Sequence, residues 1–341
     1  MSDPVDDPAN DTADALAREL FALVDDINRR SLAAPAPGAA ETGAQLSLWS
    51  TLTGLDLHMI GVPERDGGAG GDLDQLAVIV RALASYGHSS PLVEAATAAW
   101  AVSRLPDPPG GIGTIARLRP DGRAEAPWGR LARWALVLGP EPAPRLVRFA
   151  PGAVLAEAEN IAGEPADTIA ADAAEPLPGL PSRTAVRSRV AVLRAAALIG
   201  ASRGAYDLTR AHVRRRHQFG RPLAAIPAVR TALGVIRTGL IQAEAAQDRA
   251  LEAVRERGAD GALPAAAAGR VVAARTASET ARLSHQLHGA LGVTAEYALH
   301  RLTRRLWAWR DADGSEREWA AELGALALAA PETEFWEWLT A

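Results

Sequence analysis

The sequence predicts a mainly α protein in three parts: an N-terminal helical domain over 1–105, a small middle β-domain over 106–181, and a C-terminal helical bundle over 182–341. Three observations predict it. Apolar residues recur at helical spacing in both outer parts. The middle part breaks that period with proline, glycine and short apolar runs. The last part strings long helical segments together through short connections, as bundles do. A chain of 341 residues, 48% of them hydrophobic, is long enough for about two domains and rich enough for a core.

The elements follow in order. Asp3 to Thr12 reads as a polar, frayed start. Leu16, Leu20, Leu23 and Val24 then recur at helical spacing from Ala13 onward. Ser31 to Gly43, rich in Ala, Pro and Gly, reads as a connection. Leu46 to Leu55 reads as a helix, Gly61 to Asp72 as a glycine-rich loop, and Leu73 to Tyr86 and Val93 to Leu105 as helices again. In the middle part Trp134 to Leu138 and Arg145 to Phe149 read as short strands between turns. From Ser182 the helical pattern returns. Leu193, Ala197, Gly200, Gly204 and Leu208 form one stripe of a long helix, and its small residues permit close helix approach. Pro227 suits the first turn of the next helix, which runs to about Arg257. Leu263 to Leu287, Ala295 to Arg310 and Glu316 to Ala330 complete the bundle.

Composition excludes several classes of chemistry. The chain has no cysteine, which removes disulfides, zinc–thiolate sites, iron–sulfur clusters and thiol nucleophiles. It has no lysine either, which removes Schiff-base and Walker-type phosphate lysines. A net charge of −5 gives no global electrostatic case for nucleic acid. No apolar run reaches the length of a membrane span, and the acidic start lacks the regions of a signal peptide, so a cytoplasmic protein is expected.

Four stretches stand out. In Arg214-Arg-Arg-His-Gln-Phe-Gly-Arg-Pro222 an arginine-rich helix is expected to end at Gly220. Two readings stand: a helix C-terminus, where cations, Gly and Pro are at home, or an anion site, because arginine forks match phosphate oxygens. In Gln286-Leu-His-Gly289-Ala-Leu-Gly292 the glycines are either C-caps or places where backbone approaches a flat or phosphorylated ligand. The three-residue spacing of His285 and His288 permits a metal, but no carboxylate or cysteine support accompanies it, and no metal is expected. Trp49 with Gly61 to Gly71 is a turn-rich loop without the spacing of a dinucleotide fingerprint. In Trp307 to Glu316, Ser315 is a candidate N-cap, and Asp311 and Asp313 are either helix-end charges or chemistry.

In order and in type, these four stretches resemble the acyl-CoA dehydrogenase family. Trp49 through Asp72 is similar to its Trp helix, Ile-Gly-Val-Pro-Glu turn and glycine-rich loop. Arg216-His-Gln-Phe-Gly-Arg-Pro222 resembles its most specific motif, Arg-x-Gln-Phe-Gly-x-Pro. Gln286 to Gly292, followed by Glu296-Tyr297, resembles its Gln-x-x-Gly-Gly motif. The likeness covers about 46–100 and 187–316. It implies an acyl-CoA dehydrogenase-like fold, a final helical domain that forms the oligomer interface, and FAD as cofactor. It also implies an acyl-CoA substrate, an electron-accepting flavoprotein, and α,β-dehydrogenation in which a carboxylate takes the α-proton while the flavin accepts a hydride. Carried over, Arg216, Gln218, Phe219, Gln286, Leu287, His288 and Gly289 contact FAD held mainly by a neighbouring subunit, and Asp313, before Gly314-Ser315, stands where the family's base stands.

The chain also departs from the family. Asp313 is one methylene shorter than the usual Glu. Ala290 replaces the second Gly of the Gln motif. Pro227 replaces a Gln, and Val190 occupies the alternative base position. The sheet segment is short and lacks the Thr-Glu-Pro and Gly-Ser stretches that hold the flavin ring; Trp128 and Trp134 are its aromatic candidates, with core packing the favoured reading over flavin stacking. Three functions are therefore weighed: the FAD-site-completing subunit of a hetero-oligomer with a homologous partner, a self-sufficient homo-oligomeric enzyme with Asp313 as base, and a non-redox interaction protein on the same fold.

Overall fold

The computed structural model describes residues 8–31, 41–294, 297–329 and 331. The first seven residues, most of the expected 31–43 connection and Glu296 lie outside them. The N-terminal part holds α1 (Pro8–Ser31), α2 (Glu41–Gly54), α3 (Leu73–Ser85) and α4 (Leu92–Val102). α1 begins five residues before the expected apolar period. Proline is at home in a first helical turn, where its missing N–H needs no partner. The glycine-rich loop closes on itself through a Val62–Gly70 bridge. It ends at Asp72, whose side chain caps α3 by accepting the Gln75 N–H at 2.9 Å.

The middle part is a seven-stranded sheet of β1 (Gly113–Leu118), β2 (Arg123–Pro127), β3 (Trp134–Leu138), β4 (Arg145–Arg148), β5 (Val154–Ala156), β6 (Ala166–Ala170) and β7 (Glu175–Pro176). The order is β5-β6-β2-β1-β3-β4-β7, with only β1 and β3 parallel among neighbours. One face packs Trp134, Leu136 and Leu146 against Val186 and Val190 of the next helix and Ala98 and Val102 of α4. Trp134 is therefore core, with its indole N–H donated to the Gly111 carbonyl at 3.2 Å.

After the sheet come α5 (Arg183–Arg215), a hairpin of β8 (His217–Gln218) and β9 (Arg221–Pro222), α6 (Pro227–Gly261), α7 (Leu263–His288), α8 (Leu299–Asp311) and α9 (Glu316–Ala329). Ser182 caps α5 by accepting the Ala185 N–H at 3.0 Å. α6 loses helical geometry at Gly258, next to the expected end at Arg257. Ser315 and Glu318 form a capping box at α9, with Ser315 N–H on Glu318 Oε2 at 2.8 Å and Glu318 N–H on Ser315 Oγ at 3.2 Å.

α5 is the axis of the molecule, packed against α3, α6, α7 and α8. The glycine stripe explains how α3 comes so close. A methyl group at Gly200 would sit 2.1 Å from the Arg81 carbonyl oxygen, and one at Gly204 equally near that of Ser85. α1–α3 and α5–α9 share one hydrophobic core, so the outer helical parts pack as one body with the sheet against its side.

The expected helix end at Gly220 is corrected. α5 stops at Arg215, Arg216 is extended, and the motif that follows is a hairpin. Phe219 and Gly220 form its turn with φ of 51° and 72°. Positive φ at both central residues is the turn geometry that matches strand twist, and it requires the chain to leave the helix earlier.

Candidate active-site cavity and exposed motif face

The two arginine- and glutamine-bearing motifs meet at one end of the bundle. α5 and α7 finish side by side there: His212, one turn before Arg216, stacks on His288 with ring centroids 4.3 Å apart, and Tyr297 lies against both. His288 is turned inward. It is buried, its Nδ1 lies 2.8 Å from the Ser284 carbonyl oxygen, and burial lowers its pKa to about 4. His285 pairs through Nε2 with the Thr303 hydroxyl at 2.9 Å. Both histidines thus serve packing inside the bundle.

The rest of the motif faces outward. Arg216, Gln218 and Phe219 are exposed, as are Gln286 and Gly289, and Leu287 is half-buried. Among the described residues the Arg216 and Gln218 side chains make no hydrogen bond or ion pair. Gln286 accepts only a long bond from Arg282, at 3.4 Å. Gly289 caps α7 at φ 60°, and a methyl group there would meet nothing within 4 Å. Phe219 is 85% exposed and left-handed. Exposing a large apolar ring and holding a non-glycine residue at positive φ both cost free energy, about 1–2 kcal/mol for the backbone alone. A residue that carries both costs is a candidate for function. The donor set, one guanidinium fork with two amides and an exposed backbone turn, suits a pyrophosphate, and the Phe219 ring offers a flat face beside it.

A separate cavity of about 590 Å³ lies between the sheet and the bundle, within the usual range for small-molecule sites. Ile115, Trp128, Val190, Trp307 and Trp309 line it together with Glu94, Arg194 and Asp313. None of the seven motif residues lines it. Trp128, the sheet's other aromatic candidate, is buried in its wall at φ 57°. Val190, where the alternative base would stand, contributes an apolar side chain.

Asp313 follows α8 at φ 60°. The turn that holds it is fixed from below by Arg270, which is fully buried and donates Nη2 to the carbonyl oxygens of Trp309, Arg310 and Ala312 at 2.8, 2.8 and 3.0 Å. Burial lowers the Arg270 pKa to about 10. Arg194 of α5 donates Nε to Asp313 Oδ2 at 2.7 Å and Nη2 to Glu94 Oε1 at 2.5 Å. Glu94 Oε2 is buried without a partner, and burial, with the nearby Asp313 charge adding, raises the Glu94 pKa. A third carboxylate of the wall, Glu164, accepts from Ser89, from Asn160 at 2.8 Å and from the Trp309 indole at 3.0 Å.

Sequence reasoning singled out neither Glu94 nor Arg194, although a signal exists. Each is a lone charge in a run that is otherwise apolar or small, Leu92-Val-Glu-Ala-Ala-Thr-Ala-Ala and Val190-Ala-Val-Leu-Arg-Ala-Ala-Ala-Leu-Ile. A charge on a buried helix stripe needs a partner of opposite sign.

Residues 184–318 match the family model described as acyl-CoA dehydrogenase, C-terminal domain. The acyl-CoA dehydrogenase IpdE2 of Mycobacterium tuberculosis is 27% identical over 316 residues, covering 88% of this chain and 90% of that one. In fold, the chain is similar to the ChsE4-ChsE5 complex from Mycobacterium tuberculosis, with a TM-score of 0.76 at 20% identity over 94% of this chain and 98% of that one. It is also similar to butyryl-CoA dehydrogenase from Megasphaera elsdenii, with a TM-score of 0.72 at 15% identity over 96% and 100%. The C-terminal match spans both motifs and places residues 184–318 in the acyl-CoA dehydrogenase C-terminal domain family, and the order of helices, sheet and bundle makes the whole chain similar to acyl-CoA dehydrogenases.

Proposed function

We propose that this chain acts in FAD-dependent α,β-dehydrogenation of an acyl-CoA thioester, as the subunit that completes a flavin site held by a homologous partner. One observation carries the reading. The residues suited to a pyrophosphate are exposed on the protomer, have no strong partner of their own, and stand apart from the cavity that holds Asp313. Such residues serve a ligand that lies outside this chain's own cavity. The similarity to a complex of two proteins supports a hetero-oligomer.

In this reading Arg216 and Gln218 bind the diphosphate of FAD, Phe219 packs on its flat face, and Gln286, Leu287 and Gly289 shape the adjoining backbone. His288 acts one layer below, as the stacked support on which the motif end rests. When bound, FAD supplies the acceptor for the substrate's β-hydride. The 182–341 bundle is also the oligomer interface, beside the 1–105 helical part and the 106–181 sheet part. An electron-accepting flavoprotein is the further partner required.

A second reading keeps Asp313 as the base of a self-sufficient enzyme. It is favoured by the place of Asp313 on the wall of a ligand-sized cavity. It requires Arg194 to release the carboxylate during turnover.

The visible flavin spectrum separates the two. The chain is purified alone and with its homologous partner. Flavin only in the co-purified complex is the expected result. A flavin band in the lone chain, bleached by an acyl-CoA, supports the second reading and overturns the first.

A further inference from the structure

We propose that Arg194, Glu94 and Asp313 form one charge-sharing unit that carries a single proton, on Glu94, with Arg194 as the positioning residue that keeps Asp313 from acting as a base.

The geometry comes first. The three side chains arrive from α4, α5 and the link between α8 and α9. One guanidinium spans both carboxylates, at 2.5 Å to Glu94 and 2.7 Å to Asp313. The side chains of Glu94, Arg194 and Asp313 are 3%, 6% and 12% exposed. Arg270, the other buried cation here, spends its bonded nitrogen on the carbonyl oxygens of Trp309, Arg310 and Ala312, so Arg194 alone bonds the two carboxylates, and a buried carboxylate oxygen left without a donor is costly to ionise. Glu94 shares Arg194 with the Asp313 carboxylate, and a like charge nearby disfavours its ionisation, so the unit carries one proton.

The structure also says which acid carries that proton. Glu94 is the more buried, and its Oε2 has no partner to stabilise a negative charge. Asp313 is the more exposed and is bonded to Arg194 through Nε. The ionisation tendencies agree. Burial, with Asp313 adding, raises the Glu94 pKa against the pull of Arg194. Burial works against the Arg194 charge, yet Asp313 and Glu94 together hold its pKa above the ordinary value. The other carboxylates of this wall do not enter the unit: Glu164 accepts from Asn160 and Trp309, and Glu125, Asp311 and Glu318 pair with Arg119, Arg310 and Arg117.

The consequence deepens the shared-site reading and rests on it. With Asp313 held as the counter-ion of Arg194 and Glu94 neutral, neither of these two acids is free to take an α-proton. That favours a base for an acyl-CoA substrate on the partner subunit.

The test uses the full chain alone and no ligand. Infrared spectra at neutral pH are recorded for the C=O stretch of a neutral carboxylic acid, which lies above the amide I band. The expected result is a band in the parent protein that is lost in Glu94→Gln. It is also lost in Asp313→Asn, because Arg194 then has Glu94 as its single counter-ion and keeps it ionised. Isotope labelling of the glutamate carboxyls shifts the band and labelling of the aspartates does not, an assignment that needs no variant to fold. Absence of the band, or its survival in Glu94→Gln, overturns the proposal. Its survival in folded Asp313→Asn overturns the sharing of Arg194. Because no flavin enters the measurement, failure here is distinct from failure of the shared-site reading, which the flavin spectrum decides.

Discussion

Replacing Arg216 by alanine should separate binding from folding. Arg216 is exposed and has no ion pair or side-chain hydrogen bond among the described residues, so its removal should leave the stability of the lone chain within about 0.5 kcal/mol of the parent. In the complex it would remove a charge-assisted bond to a phosphate oxygen, an interaction of about 1.5–3 kcal/mol. At about 1.4 kcal/mol per tenfold, flavin affinity should fall roughly 10- to 100-fold. The assay titrates flavin-stripped complex with FAD and follows the quenching of its fluorescence, beside denaturant unfolding of the lone chain. Arg216→Lys should recover only part of the affinity, because an ammonium keeps the charge and loses the planar fork. A folded complex of Arg216→Ala with unchanged flavin affinity would refute the assignment. So would a loss of stability in the lone chain, because it would make Arg216 a structural residue.

The remaining predictions test other parts of the molecule. Phe219→Gly removes an exposed ring and the strain of its positive φ, so thermal unfolding of the chain should occur at an equal or higher temperature while flavin retention by the complex falls. Gly200→Ala should lose about 2 kcal/mol in urea unfolding, because the new methyl meets the Arg81 backbone carbonyl at 2.1 Å and neither helix can yield cheaply. Gly234→Ala, where a methyl meets nothing within 4 Å, should instead gain up to about 1 kcal/mol from helix propensity. Glu94 has a folded pKa raised by burial, so its neutral form favours the fold fully below the unfolded value of 4.5, and that advantage is lost as pH rises through the folded value. Glu94→Gln should therefore remove an alkaline-side decline in stability that the parent shows. His88 is the opposite case. Burial, with Arg305 and Arg301 adding, lowers its pKa from 6.5 to about 4, so stability is full above 6.5 and falls as pH drops toward 4, by at most about 3 kcal/mol. Urea midpoints for His88→Gln, measured beside the parent from pH 7 to 4, should show the smaller acid loss.

The helices were legible because their periods are long and their ends are marked by Pro227, Ser182 and Ser315. The sheet was legible only at β3 and β4, where apolar residues are large. β2 reads Arg-Ala-Glu-Ala-Pro, and its inward positions are alanines. The alternation is there, but alanine is a weak strand former, so no propensity argument lifts it above a loop. β5 and β7 are edge strands of three and two residues, held by register with their neighbours and not by anything local. The hairpin at 217–222 was hidden for a different reason. Arginine, glycine and proline mark the end of a helix as well as they mark a turn, and the positive φ of Phe219 has no sequence signature at all.

The site divides along the same line. Arg216 with Gln218, and Gln286 with Gly289, could be singled out because each of the two exposed motifs is a short run of the chain. The cavity unit could not be found that way. Glu94 and Arg194 are separated by 100 residues, and Arg194 and Asp313 by 119. Their relation exists only after α4, α5 and the α8–α9 link have packed, and no local period encodes it. What the sequence does contain is two unbalanced charges on buried stripes, one acidic and one basic, on helices that the fold makes adjacent. A third charge, Asp313, then meets a guanidinium that already has one partner. That arithmetic changes the meaning of Asp313. By position in the chain, the resemblance would make it the base; by position in the fold it is bonded to a buried arginine. Motif position and electrostatic environment answer different questions, and a base is defined by the second. A carboxylate bonded to a cation is a weaker base than a free one, and Arg194, bonded to Glu94 at 2.5 Å and to Asp313 at 2.7 Å, would have to give up the second bond before Asp313 could take a proton from carbon.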